Sequence, residues 1–369
     1  MTGKGSVRSI LVVNEGGGPT TLVRGRQFAE LFEKEGIRFD FVSRRPQWFA
    51  KAVGWTEVRW WRNVFYRVLR RLEYVFIRYR EDAIVRKARD YDCVHLLWTP
   101  SWRLHEKLWK DNKTKIVMDV SDGLWLPLYK RGGYDGRGGF ERVDDMLRHS
   151  HALSCENEYL AAYARKYNDN VHLTPDAPQL EEFDALRDKF HPDPNRVTLG
   201  WIGGGGSADH LAVIFEVLED LFVRYPQLHL RILGAGLRDL PRFEKVRFSY
   251  NTFFSNRQMI EEALQMDIGL FPLYHIEDSK TRGTLKGKIY MSAGAVALCQ
   301  RWGGAVDLIQ HRENGVLADS PEEWRAELEW LITHPEERKR IAAHGIATIR
   351  ENFTKKMCYD RLKAVFESA

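Results

Sequence analysis

Short apolar runs alternate along this chain with stretches whose apolar residues recur every three or four positions, which predicts strands alternating with helices. Ser9 to Asn14 is the first such run; it leads into Gly16-Gly17-Gly18-Pro19, and Leu22, Phe28, Leu31 and Phe32 follow at helical spacing. Arg38 to Ser43 alternates as a second strand, so the chain opens with a βαβ unit and a parallel sheet. Cys93 to Trp98, Lys115 to Val120, His151 to Ser154 and Asn170 to Leu173 supply further strands. The polar, proline-bearing stretch from Pro175 to Asn195 predicts a linker.

After it the pattern restarts. Val197 to Ile202 reads as a strand, Gly203-Gly204-Gly205-Gly206-Ser207 as a turn, and Ala208 to Arg224 as a helix with Leu211, Ile214, Phe215, Leu218, Leu221 and Phe222 on one face. Strands at Leu228 to Leu233, Val246 to Tyr250, Ile268 to Phe271 and Ala295 to Leu298 alternate with helices at Asn256 to Met266 and Lys286 to Ala293. The tail from Pro321 is helical, punctuated by Pro335. Two doubly wound α/β domains follow, over 1–185 and 186–345, each with its ligand-binding edge at the carboxyl ends of parallel strands.

Composition narrows the class. With 369 residues, 44% hydrophobic and 29% charged, the chain is globular and long enough for two cores. Its longest apolar stretches, Ile10 to Val13 and Ala293 to Cys299, fall short of a membrane span, and Met1 to Arg8 has no signal-peptide pattern. Cys93, Cys155, Cys299 and Cys358 are too scattered for a zinc site or a redox pair. A cytoplasmic location is expected.

The net charge of +5 is unevenly placed: residues 1–190 carry 33 Lys and Arg against 27 Asp and Glu, and eight of the 12 Trp lie there. From Trp55 to Asp90, Trp61, Phe65, Val68, Leu72, Val75 and Tyr79 recur at helical steps, with Arg59, Arg62, Arg67, Arg70, Arg71 and Arg78 on other faces. Such a helix either lies on an anionic membrane surface, through about residues 58–80, or packs its apolar stripe into the domain. No recognised nucleic-acid motif accompanies the charge.

Four consecutive glycines between strand and helix allow close backbone approach to a ligand, and the amides from Gly204 to Ala208 at a helix start favour a phosphate. Gly203, Gly205 and Ala208 also fit a dinucleotide fingerprint, but the next strand ends in Gly234-Ala235-Gly236 where that motif needs an acid. The opening loop with Gly17 either touches the same ligand or simply turns the chain. Lys286 and Lys288, two cations beside the turn, suit a departing diphosphate.

In order, these features resemble the retaining family-4 glycosyltransferases (glycosyl transferases group 1) of GT-B architecture, in which two Rossmann-like domains face each other across a cleft. The resemblance is carried by Asp169 to Phe183, Val197 to Gly236, Ile268 to Pro272 and, most specifically, Lys286 to Gly315, with Tyr290-Met291-Ser292-Ala293-Gly294-Ala295, Gly303-Gly304 and Glu313-Asn314-Gly315 in the family's sequence order. It implies a hexosyltransferase-like enzyme of polysaccharide biosynthesis that needs neither metal nor cofactor. It would use a UDP- or GDP-sugar donor and a glycan or lipid-linked acceptor, and would sit in the cytoplasm or peripherally on the membrane's inner face. A terminal helix, 346–369, would cross back to the first domain.

The resemblance also implies site residues. Lys286 would contact the diphosphate. The family's paired glutamates fall on Thr281 and Ile289, neither acidic; Glu277 and Asp278 lie near the first and would hydrogen-bond the donor sugar, while Arg282 or Lys280 would supply the missing charge near the first donor-domain glycine. Lys115 to Trp125 resembles the acceptor lip, with Ser121 in place of a histidine and Asp122 as the residue that positions the acceptor hydroxyl, or else as a turn cap before Gly123. Two other outcomes remain open: a catalytically inactive nucleotide-sugar-binding or scaffold protein, and a nucleotide-sugar epimerase of the same fold.

Overall fold

A computed structural model of the chain describes residues 7–15, 19–45, 64–127, 142–236, 240, 242–252 and 255–369, with side chains described at all of these but 19, 64–70, 205 and 206. Gly17 and residues 58–63 of the basic stretch therefore lie outside the described residues. Two compact units are present, Met1–Thr174 together with Tyr359–Ala369, and Pro175–Cys358.

The first unit is a parallel six-stranded sheet: β1 (Ser9–Asn14), β2 (Arg38–Ser43), β3 (Cys93–Leu96), β4 (Lys115–Val120), β5 (Ala152–Cys155) and β6 (Val171–Leu173), in the order β2-β1-β3-β4-β5-β6. Leu11 of β1 stands opposite Asp40 on one side and Val94 on the other. Helices cover both faces, so β1, β3, β4 and β5 are buried nearly throughout, which is why they read as apolar runs. From Tyr359 onward the last helix, Lys355–Ser368, packs in this unit: the rings of Tyr359 and Phe366 lie 4.6 and 5.8 Å from Phe32, edge-on. Lys363 pairs with Glu35 at 2.6 Å.

Helix Val64–Ala88 settles the fate of the basic amphipathic stretch as far as its side chains are described. Leu72, Val75 and Tyr79 are exposed, while Glu73, Ile77, Glu81 and Ile84 are buried. The expected packing of the apolar stripe into the domain does not occur at those three positions. Buried carboxylates are tolerated on the inner face because guanidinium groups meet them: Arg44 lies 3.1 Å from Glu81, Arg103 2.8 Å from Glu81, and Arg45 3.6 Å from Glu73.

The second unit repeats the plan with β7 (Val197–Ile202), β8 (Leu228–Leu233), β9 (Phe248–Asn251), β10 (Ile268–Phe271), β11 (Val296–Gln300) and β12 (Val316–Ala318), parallel and ordered β12-β11-β10-β7-β8-β9. Trp201, Leu211, Leu218, Leu230, Ile268 and Trp324 are core residues here. Two local expectations change. The supposed linker holds a helix, Leu180–Leu186, which buries Leu180, Phe183 and Leu186. The helix expected from Ala208 begins instead as a 3-10 helix, Gly205–Ile214, and becomes α-helical only over Phe215–Arg224. Among the described residues no helix is long and apolar enough to cross a membrane.

Candidate functional site

The carboxyl end of β7 is held by one side chain. Tyr290, fully buried on helix Leu285–Ala293, accepts the Ile202 amide at 3.0 Å and donates to the Leu270 carbonyl at 3.1 Å, tying the ends of β7 and β10 together. That helix stops at Gly294, whose φ of +83° would strain an L side chain.

Past Ile202 the chain enters the tetraglycine turn. Gly203 is sterically required: a Cβ there would lie 2.6 Å from the Trp201 ring and 2.7 Å from Lys286 Nζ. Gly204 has extended backbone, with φ −77° and ψ 158°, and a Cβ there would meet nothing within 4 Å, so open space lies beside it. The expected row of amides is one shorter, because Ser207 N–H turns back to the Gly204 carbonyl at 2.9 Å. Ser207 Oγ donates to the same carbonyl at 3.0 Å.

Lys286 reaches this turn. Its ammonium stands 4.7 Å from the centre of the Trp201 ring and 5.2 Å from that of Phe271, and donates to Ser207 Oγ at 3.5 Å. Among the described residues no carboxylate pairs with it. Burial, assisted by the positive charge of Arg282, pulls its pKa down to about 7. Arg282 is itself gripped by Asp278 at 2.5 Å.

His210 completes the group, although sequence reasoning did not single it out. Its Nδ1 accepts the Tyr274 amide at 3.0 Å, which leaves the proton of the neutral ring on Nε2. Burial lowers its pKa, and Lys286 and Arg282 lower it further. A lone histidine in a glycine-rich turn carries no sequence signal for this role; its contact with Tyr274 exists only in the fold.

The structure thus gathers Gly203, Gly204, Ser207, Lys286, Arg282, Asp278 and His210 around one turn. It leaves others out. Lys288 is 1% exposed and donates to the Asp176 carbonyl at 3.1 Å, its ammonium 5.0 Å from the Phe353 ring, so it braces the segment after β6 instead of facing a diphosphate. The reason is helical rotation: positions two apart point to opposite sides. Glu277 is half exposed and pairs with Lys280 at 3.4 Å. Thr281 is buried and donates to the Asp278 carbonyl at 2.8 Å, and Ile289 lies in the core, so neither position offers a carboxylate.

In the first unit, Asp122 follows β4 at the carboxyl edge of the sheet. Trp98 Nε1 donates to Asp122 Oδ2 at 3.0 Å, and Trp98 does so from a left-handed φ of +46°, a costly conformation for a bulky residue. Aromatic rings surround this edge: Trp125 stacks on Tyr163 at 3.7 Å, and the Arg142 guanidinium lies 4.2 Å over Trp102. Asp119 is unsuited to a ligand, being buried against Arg24 at 2.6 Å and Ser154 at 2.9 Å.

Comparison with known proteins places this geometry. Residues 213–364 match the family model described as glycosyl transferase-like. The fold aligns with the Anabaena protein HepE in complex with UDP and glucose, with a TM-score of 0.65 and 12% identity over 98% of this chain and 100% of that one. A glycosyltransferase from Rickettsia africae aligns with a TM-score of 0.67 and 13% identity over 98% of each chain. Sucrose-phosphate synthase from Thermosynechococcus elongatus gives 0.67 and 12%, over 97% of this chain and 98% of that one. No curated protein matches the sequence. The chain has the GT-B fold, and its resemblance to the group 1 glycosyltransferases lies in the second unit and in that fold.

Proposed function

We propose that this chain is a glycosyltransferase that moves a hexosyl group, with retention, from a nucleoside-diphosphate sugar to a hydroxyl of a glycan or lipid-linked acceptor, in cytoplasmic polysaccharide assembly and without a metal. The observation that carries this reading is Lys286: a partly buried lysine with no carboxylate partner among the described residues, set beside a glycine turn with open space next to it. A diphosphate is the anion that fits, since it would restore the charge on Lys286 while Arg282 and the His210 Nε2–H supply further donors. UDP is the favoured nucleotide because HepE, which shares the fold, was crystallised with UDP and with UDP-glucose.

In the proposed reaction the acceptor oxygen bonds to the anomeric carbon as the carbon–oxygen bond to the diphosphate breaks. The acceptor proton passes to the departing phosphate oxygen on the same face. Lys286 and Arg282 stabilise the developing negative charge, and Asp122, held by Trp98, orients the acceptor. Glu277, paired with Lys280, and Asp278, paired with Arg282, are the carboxylates that would meet donor sugar hydroxyls. The test is incubation with UDP-, GDP- and dTDP-sugars, with and without oligosaccharide or lipid-linked acceptors, following release of nucleoside diphosphate. Transfer or slow donor hydrolysis supports the enzyme.

One observation favours a second reading. With Thr281 and Ile289 buried where the resemblance places glutamates, the site would bind a nucleotide sugar without turning it over. Tight binding with no product in the same assay is the outcome that selects it.

A further inference from the structure

We infer that Lys286 is a nucleophile as well as a charge: acyl phosphates acylate its side-chain amine, and the acylated chain no longer takes a nucleotide. The inference rests on the reading of the glycine turn as a phosphate site and assigns that site a means of regulation. An ammonium group is stable in a folded chain where acceptors surround it. Lys286 has Ser207 Oγ at 3.5 Å and otherwise the rings of Trp201 and Phe271, at 4.7 and 5.2 Å. Asp278 is taken by Arg282 at 2.5 Å, and the guanidinium lies close enough to Lys286 to disfavour a second cation. A lysine drawn from water beside another cation is the activated form of this nucleophile. The amine also stays within reach, because Lys286 is only partly buried and open space lies next to Gly204.

The contrast with other lysines is one of surroundings. Lys288, two residues on, is 1% exposed and donates to the Asp176 carbonyl at 3.1 Å, with the Phe353 ring 5.0 Å away. Lys34 and Lys339 have side chains 66% and 72% exposed, but pair with Glu30 at 2.7 Å and Glu336 at 2.9 Å. The phosphoryl group of the acylating molecule supplies the selection. With its oxygens on Arg282 and the His210 Nε2–H, the carbonyl carbon bonded to its bridging oxygen is presented to the amine. The nitrogen lone pair attacks that carbon. The carbon–oxygen bond to phosphate breaks with its electron pair on the phosphate, and the proton shed by nitrogen goes to the same departing group. Inorganic phosphate leaves and an uncharged amide remains. That amide neither meets the charge of a diphosphate nor vacates the space beside the turn, so nucleotide binding is lost.

Acetyl phosphate tests it on the intact chain at pH 8, with peptide mass spectrometry following every lysine over time. An ordinary lysine is neutral there in roughly one part in 250. Lys286 is therefore expected to be acetylated about tenfold or more faster than Lys34 or Lys339, the gain in free amine being partly offset by its lower basicity. UDP should protect it, and acetic anhydride, which has no phosphoryl group to dock, should erase most of its lead. Calorimetry on the acetylated chain should show UDP affinity lower by about tenfold or more. Lys286→Arg keeps the charge without the nucleophile, so its UDP affinity should survive acetyl phosphate treatment; the mapping on the parent chain decides the matter even if that variant misfolds. Acetylation of Lys286 no faster than that of the exposed lysines overturns the inference. So does an equal lead with acetic anhydride, or full acetylation that leaves UDP affinity intact. A parent chain that binds no UDP refutes the nucleotide reading instead, and the two failures are distinct because the acetylation rates are read without nucleotide.

Discussion

Proton uptake at Lys286 on nucleotide binding follows directly from its surroundings. In the unfolded chain a lysine titrates near 10.5, and burial against Trp201 and Phe271 beside Arg282 brings Lys286 down to about 7. A shift of that size corresponds to about 5 kcal/mol against the charged form. The folded pKa lies below the unfolded one, so the penalty is fully present below about pH 7, fades as pH rises toward 10.5 and is absent above it. A diphosphate beside the ammonium reverses the shift, so the complex takes up a proton between these limits and affinity falls as pH rises, by up to about tenfold per unit. UDP-glucose is the suitable probe, because its phosphates do not titrate in this window and His210, lowered from 6.5, is already neutral. Calorimetry near pH 8.5 in two buffers of different ionisation heat should show uptake approaching one proton. Lys286→Met should abolish the uptake, flatten the pH profile and weaken binding at pH 7 by about 1.5 to 3 kcal/mol, or roughly 10- to 150-fold. Uptake absent in the parent, or unchanged in Lys286→Met, refutes the reasoning.

Three further outcomes are expected. Gly203→Ala drives a methyl group into Trp201 and Lys286 and should cost about 1 to 3 kcal/mol of stability by denaturant unfolding, whereas Gly204→Ala, facing open space, should stay within about 0.5 kcal/mol yet weaken UDP binding. Lys288→Ala removes a buried strut and should lower stability by about 2 kcal/mol or more while leaving UDP affinity within about twofold; a large loss of affinity would return Lys288 to the site. Trp98→Phe deletes the indole N–H that holds Asp122 and should raise the acceptor KM with donor affinity unchanged, measured once an acceptor is in hand.

Most strands were legible because helices cover both faces of each sheet, turning a parallel strand into an unbroken apolar run such as Ile10 to Val13 or Val197 to Ile202. Of the two three-residue strands β6 was read and β12 was not, and Leu180–Leu186 was hidden between the prolines that framed a supposed linker. The glycine turn and the basic residues near it were legible too, since glycine and charge are local properties. What a linear string does not contain is rotation and depth. Lys286 and Lys288 are equivalent as written, yet the turn of one helix sends the first to Ser207 and the second to Asp176. Likewise the periodicity from Leu72 to Tyr79 announced an amphipathic helix without saying which side faces inward. That choice belongs to partners elsewhere in the chain: Ile84, Val85 and Ala88 join the core of the first unit, and Arg44, Arg45 and Arg103 meet Glu73 and Glu81 on the same buried side. Local pattern follows from the order of side chains; the direction each one points is set by partners distant in sequence, which only the folded chain brings within reach.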